Sequence, residues 1–200
     1  MKDKLIPQLF IIFLRYLMGF AFVFNSIKKI KGNRFTTESG AENPIDSAWH
    51  FFETLYESGI YWKFLGLGQL IAGLLLITQR YAKLGAVMFF PIMANIFVIT
   101  ISYDFRYTYV VTALMLLANI LLLLWDWNTL KVLINLKPTV SNIKRLEDHK
   151  VWSIIGLTYL SCYFIAALIA NDNAAYILLL SFAAISIFGF VFGIRNRKAY

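Results

Sequence analysis

The chain has 200 residues, 60% of them apolar or aromatic and only 15% charged, with a net charge of +8 and a mean hydropathy of +0.66. A soluble domain carries about 25% charged residues. A chain this apolar cannot cover a water-facing surface, which excludes a soluble enzyme, a disordered tail and a secreted domain. The reading is an all-α, polytopic membrane helix bundle.

The rare residues narrow the chemistry further. Cys162 is the single cysteine, so an intramolecular disulfide, a CxxC redox pair and a thiolate metal cluster are all excluded. His50 and His149 are the only histidines and fall in loops on opposite sides of the expected topology, so they cannot jointly ligate a haem. No catalytic or metal-ligating constellation is present, and there is no GxGxxG, Walker A or HExxH pattern. The positive charge reads as cytoplasmic anchoring charge, not as a nucleic-acid footprint.

A bilayer core takes about 20 apolar residues per helix. Six stretches qualify, at about Leu5–Ile27, Ile60–Thr78, Ala82–Ser102, Thr108–Trp127, Val151–Ala170 and Ala174–Ile194. The first is too long for a signal-peptide core and no small-residue cleavage site follows it, so it reads as a retained helix. With six spans both termini share a side. That side holds twelve of the 19 Lys and Arg, the other side six, and Arg15 lies inside a span. The positive-inside rule then puts both termini on the cytoplasmic side. Lys28, Lys29 and Lys31 vote against this, offset in part by Glu38, Glu42, Asp46, Glu53 and Glu57 in the same loop.

After the first span comes an outer loop of about residues 28–59, whose stretch from Asp46 to Tyr56 is expected to be an amphipathic helix capped by Asp46 or Ser47. Trp49, Phe52, Leu55 and Tyr56 share its apolar face. It lies on the outer interface or folds back onto the bundle as a lid. Between the fourth and fifth spans, residues 131–150 form a basic linker broken by Pro138. It divides a four-helix module, residues 1–130, from a two-helix hairpin and basic tail, residues 151–200. Asn171-Asp172-Asn173 supplies the hairpin's tight turn.

Polar side chains inside hydrocarbon are costly and are functional candidates. Arg15 requires either a partner, for which Asp126 at the inner end of the fourth span is the nearest in-span acid, or an escape by snorkelling to the headgroups. Gln69 and Asn95 fall near mid-membrane, Asn119 nearer the inner side and Asn25 near the outer end of the first span. They either bond neighbouring helices, at about 0.6 kcal/mol each, or line a small polar pocket for a quinone head group or another small ligand. Neutral amides cannot themselves supply protons or electrons. Pro91 is expected to kink the third span beside Asn95. Gly66, Gly68, Gly73 and Gly85 permit close helix approach, the Tyr and Trp at span ends form interfacial belts, and Cys162 is a packing residue.

Three segments carry a family resemblance over about residues 11–130. Arg15-Tyr-Leu-Met-Gly19, followed by Lys28-Lys29, resembles the first helix of the DoxX-like membrane family. Gly66-Leu-Gly-Gln69-Leu-Ile-Ala-Gly73 resembles its second helix, and Pro91-Ile-Met-Ala-Asn95 its third. The family often has Glu where Gln69 stands and His near Thr100. The C-terminal hairpin is additional to its four-helix unit. Some relatives of this kind resemble membrane subunits of thiosulfate:quinone oxidoreductase. The resemblance therefore implies an inner-membrane subunit, non-catalytic alone, of a quinone-linked or other envelope complex, with a protein partner. The alternative is a structural or assembly protein that docks a partner and binds no small ligand. A transporter is disfavoured, because there is no inverted repeat and no acid near mid-membrane to couple ions.

Overall fold

The computed structural model describes residues 4–103, 107–139, 145–169 and 174–196. They form eight α-helices and two short 3-10 turns, with no strand among them. The helices are α1 (Leu5–Ile30), α2 (Ala48–Glu57), α3 (Ile60–Ile77), α4 (Ala82–Ser102), α5 (Thr108–Trp125), α6 (Trp127–Leu130), α7 (Lys150–Ile169) and α8 (Ala174–Arg195). All but α2 and α6 are long and apolar enough to cross a membrane. The chain is a multi-pass, all-α membrane protein. The Asn171–Asn173 turn expected from sequence lies outside the described residues.

Helix α1 is the axis of the bundle. In its most apolar window 61% of residues are buried, against 11% for α8. α8 is also the more apolar of the two, with a mean hydropathy of 2.6 against 1.8 for α1, as expected of a helix that faces lipid on most sides. α1 crosses α3 at Gly19 and Gly73. A Cβ on Gly19 would sit 2.8 Å from the Gly73 carbonyl oxygen, and one on Gly73 2.7 Å from that of Gly19. Helices in lipid gain little from apolar burial alone, so backbone contact through small residues provides the packing. Phe22 of α1 stacks on Phe89 of α4 at 3.5 Å between ring centroids.

α4 runs unbroken through Pro91, which lies on an exposed face. It is joined to α5 by two polar contacts. The Thr100 and Thr112 hydroxyls lie 2.7 Å apart, and Asn119 Nδ2 donates to the Ala86 carbonyl at 3.1 Å.

The C-terminal pair, α7 and α8, does not stand apart from the first four spans. Tyr16 of α1 donates to the Trp152 carbonyl, Ser153 Oγ donates to the Thr78 carbonyl at 2.6 Å, and Gly156 lies directly against Ile77. Tyr159 stacks edge-on against Tyr16, Phe20 and Phe182, and shares a 2.6 Å hydrogen bond with Ser186 of α8. The hairpin is a wall of the same bundle.

Candidate functional site

The bundle has two polar ends of opposite character. At the end where α1 begins and α5 finishes, a closed ionic cluster forms. Arg15 Nη2 pairs with Asp126 Oδ2 at 2.8 Å and Arg15 Nη1 with Glu147 Oε2 at 3.1 Å. Arg145 Nη1 reaches Asp126 Oδ1 at 3.1 Å and Glu147 Oε1 at 2.9 Å. Arg15 Nη1 also donates to Gln79 Oε1 at 3.3 Å, and Gln79 Nε2 donates to the Ile12 carbonyl at 3.1 Å. Trp125 Nε1 donates to Glu147 at 3.2 Å. Two guanidinium groups thus face two carboxylates, and the cluster is neutral. Arg145 is partly buried, which works against its charge, yet Glu147 and Asp126 together raise its pKa above the ordinary value.

Arg15 therefore pairs directly with Asp126 and does not snorkel. Sequence reasoning missed its other partners. Arg145 and Glu147 fall there in the basic linker before the fifth span, and nothing in that reading placed them beside Arg15. The 3-10 turn Leu146–Asp148 folds into the bundle, with Leu146 and Glu147 buried and the Leu146 amide donating to Gln8 Oε1 at 2.7 Å. A buried Arg with one acid, followed downstream by an Arg-x-Glu pair, was the available signal.

The opposite end is hollow. A cavity of about 480 Å³ lies between the last turns of α1, the first half of α3, the second half of α4 and the first half of α5, with α2 and Phe35 above it. Its walls are apolar, from Phe22, Phe64, Ile92, Met93, Ile96, Val111 and Met115. Its polar groups come from Asn25, Lys29, Gln69, Asn95, Thr100, Thr108, Thr112, Tyr61 and Trp62, and among the described residues no carboxylate, imidazole or thiol lines it. Of the expected pocket residues, Gln69, Asn95 and Asn25 come together here. Asn119 does not. It is fully buried between α4 and α5, bonded to Ala86 through its amide nitrogen, which is the interhelical role that mid-span amides often fill.

Gln69 is 4% exposed, and its Oε1 has no hydrogen-bond partner. Buried polar atoms are nearly always paired, by protein, water or ligand. Asn25 turns its Nδ2 back to the Ala21 carbonyl at 2.7 Å, and Asn95 keeps its side chain exposed. Lys29, counted from sequence only among the charges at the outer end of the first span, is 8% exposed and lines the cavity.

The loop above this cavity is fastened. Ser47 caps α2, its Oγ accepting from the His50 amide at 3.2 Å. Arg34 donates through Nε to both oxygens of Glu53 at 2.8 and 3.0 Å, and Gly40 N–H adds a third donor at 3.1 Å. Hydrogen bonding to Arg34 holds the Glu53 carboxyl below the usual carboxylate range, and the same bond raises Arg34. The Arg34 guanidinium also covers the Tyr56 ring at 4.7 Å, and Trp62 Nε1 donates to the Asn33 carbonyl at 3.0 Å. Of the expected apolar face of α2, Phe52 and Leu55 reach the cavity. Tyr56 packs under Arg34, and the Trp49 backbone lies against Gly40. The helix is a lid seated on the bundle.

The fold and the cavity define a multi-pass helical membrane protein with a lipophilic chamber near one face. No protein-family profile matches the chain, and no solved structure matches it. The uncharacterized protein YwoB of Bacillus subtilis (strain 168) is 35% identical over 127 residues, which is 61% of this chain and 77% of that protein. The chain belongs to the same family as YwoB.

Proposed function

We propose that the protein is a DoxX-like subunit of a quinone-linked or other envelope complex in the bacterial inner membrane, and that its own part is to hold a lipophilic molecule with a polar head in the cavity beneath α2. The observation that carries this is Gln69 Oε1, buried and unpaired in the wall of a chamber of about 480 Å³. Ligand sites are chambers of this size, mostly apolar, with a few placed polar groups.

A quinone suits the lining. Such a group, when bound, would supply electron-pair and proton transfer. Gln69 would accept from a ring hydroxyl or, through its amide nitrogen, donate to a ring carbonyl. Lys29 would donate to a second oxygen, and the lid would keep water from the head group. Among the described residues the lining offers no carboxylate, imidazole or thiol, which supports a binding subunit that works with a partner and not alone. The resemblance is also consistent with the site. The two positions where it leads one to expect Glu and His, Gln69 and Thr100, both line this cavity.

The test is to purify the tagged chain from native membranes in mild detergent and identify co-purifying proteins and lipophiles by mass spectrometry. One lipophile per chain, lost in Gln69→Leu plus Asn95→Leu at normal expression, is expected. Retention of partner activity and of lipophile content in that double variant would refute the pocket's role. A partner without any lipophile would favour the docking alternative.

A further inference from the structure

Lys29 gives the cavity a charge that nothing in the described protein neutralises. Its ammonium has three donors and makes one weak bond, to the Asn25 carbonyl of its own helix at 3.4 Å. Its other neighbours are ring faces, Trp62 at 5.0 Å and Phe35 at 5.6 Å. The buried acid of the outer loop, Glu53, is committed to Arg34 and the Gly40 amide. Lys28 adds a further positive charge in the same turn. The other buried cation of the bundle, Arg15, has two carboxylates and a glutamine. Lys29 is as enclosed as a paired charge but lacks the pair, and buried charges are otherwise paired or ligand-bound.

We infer that the molecule held in the cavity is an anionic amphiphile. Its apolar body lies along the walls formed by Ile92, Ile96 and Met115, and its carboxylate or phosphate oxygen sits on Lys29 Nζ. This rests on the cavity being a ligand site, as proposed above, and narrows the ligand to an acid. Aromatic rings beside the ammonium suit this, because they shield the pair from water without competing for its N–H donors.

The test uses the purified full chain and four probes: oleic acid, its methyl ester, dodecyl phosphate and a neutral decyl-quinone. Binding is counted by native mass spectrometry. Oleic acid is expected at one per chain, at least tenfold tighter than the ester, with the advantage kept in Lys29→Arg and abolished in Lys29→Gln. A diazirine-bearing fatty acid should label α3 and α4 peptides that line the cavity. Tighter binding of the alkyl phosphate than of the acid would identify a phosphorylated lipid as the source of the anion, and the reverse a free carboxylate. Equal binding of acid, ester and quinone would overturn the inference and leave the cavity reading standing. No binding of any probe, or labelling only outside the cavity, would overturn both. The acid-to-ester comparison needs no variant, so a misfolded Lys29→Gln does not remove the test.

Discussion

Both ends of the bundle bury a cation, and they treat it in opposite ways. Arg15 sits in a filled, net-neutral cluster fed by four segments of chain, whereas Lys29 faces a hollow in which no carboxylate of the described residues pairs with it and Glu53 of the lid is engaged by Arg34. A charge that exists for stability is answered from within the protein. On the inference drawn above, the answer to Lys29 comes from a bound anion. The difference separates a structural charge from a binding charge, although a hydropathy plot ranks Arg15 as the anomaly and passes over Lys29 as an interfacial residue.

The comparison breaks most sharply at Asp126. Replacing it with Ala leaves Arg15 and Arg145 short of an acceptor, and losing one partner of a buried pair costs about 3–5 kcal/mol. A large drop in the thermal midpoint of the detergent-solubilised protein is expected. The double variant Arg15→Leu, Asp126→Leu leaves Arg145 facing Glu147 and should recover most of that loss. A double variant no more stable than Asp126→Ala would mean the cluster is not what holds this end together.

Next in size is the α1–α3 crossing. Gly73→Leu would drive a side chain into the Gly19 carbonyl, and overpacking of this sort costs about 1–3 kcal/mol. A loss of monodispersity on gel filtration in parallel with lower thermal stability would register it. The same enlargement at Gly68, whose Cβ would meet only Ile92 at 3.7 Å, should be tolerated.

At the hollow end the sign reverses. Gln69→Leu removes an unpaired buried oxygen, so stability should hold or rise by about 1 kcal/mol while ligand occupancy falls. A loss of stability comparable to that of Asp126→Ala would show that Gln69 has a structural partner and end the contrast.

The smallest effect concerns the lid and depends on pH. The Glu53 pKa is lowered in the folded state by Arg34. The contribution is therefore present above the usual carboxylate value and is lost as pH falls through the lower folded one. Arg34, Tyr56 and Glu57 are the other titratable groups acting there, and only the carboxylates change charge in that window. Spin labels on the 35–45 loop and on α3 should give one distance at neutral pH and a broadened distribution in acid. Glu53→Gln should be broad at both.

The architecture was legible because the spans are long, apolar and punctuated by charge. Arg15 and Asp126 were legible because ionised groups inside spans are rare and must be accounted for. Arg145 and Glu147 were not, since a charged stretch before a span looks the same whether water or protein surrounds it. The separate C-terminal hairpin was likewise only a sequence division. Nothing in Val151–Ala170 announces that Gly156 will press on Ile77. The amides split for a related reason. Gln69 and Asn119 carry the same chemistry and each leaves its side-chain oxygen unpaired, but the neighbouring helices decide that the Asn119 amide nitrogen finds the Ala86 carbonyl while Gln69 lines the cavity.

The ionic cluster also sets an order of events during biosynthesis. Arg15 leaves the ribosome 111 residues ahead of Asp126. At about 5–20 residues per second that interval is on the order of ten seconds. For that time the first span carries an unanswered charge and has to stay near the headgroups or in the shelter of the insertion machinery. It can settle to its final depth only once the end of the fourth span and the linker behind it have been made. Docking of the N-terminal helix is therefore expected to be the last step of its own module, and a nascent chain arrested before residue 126 should remain bound to the insertion machinery.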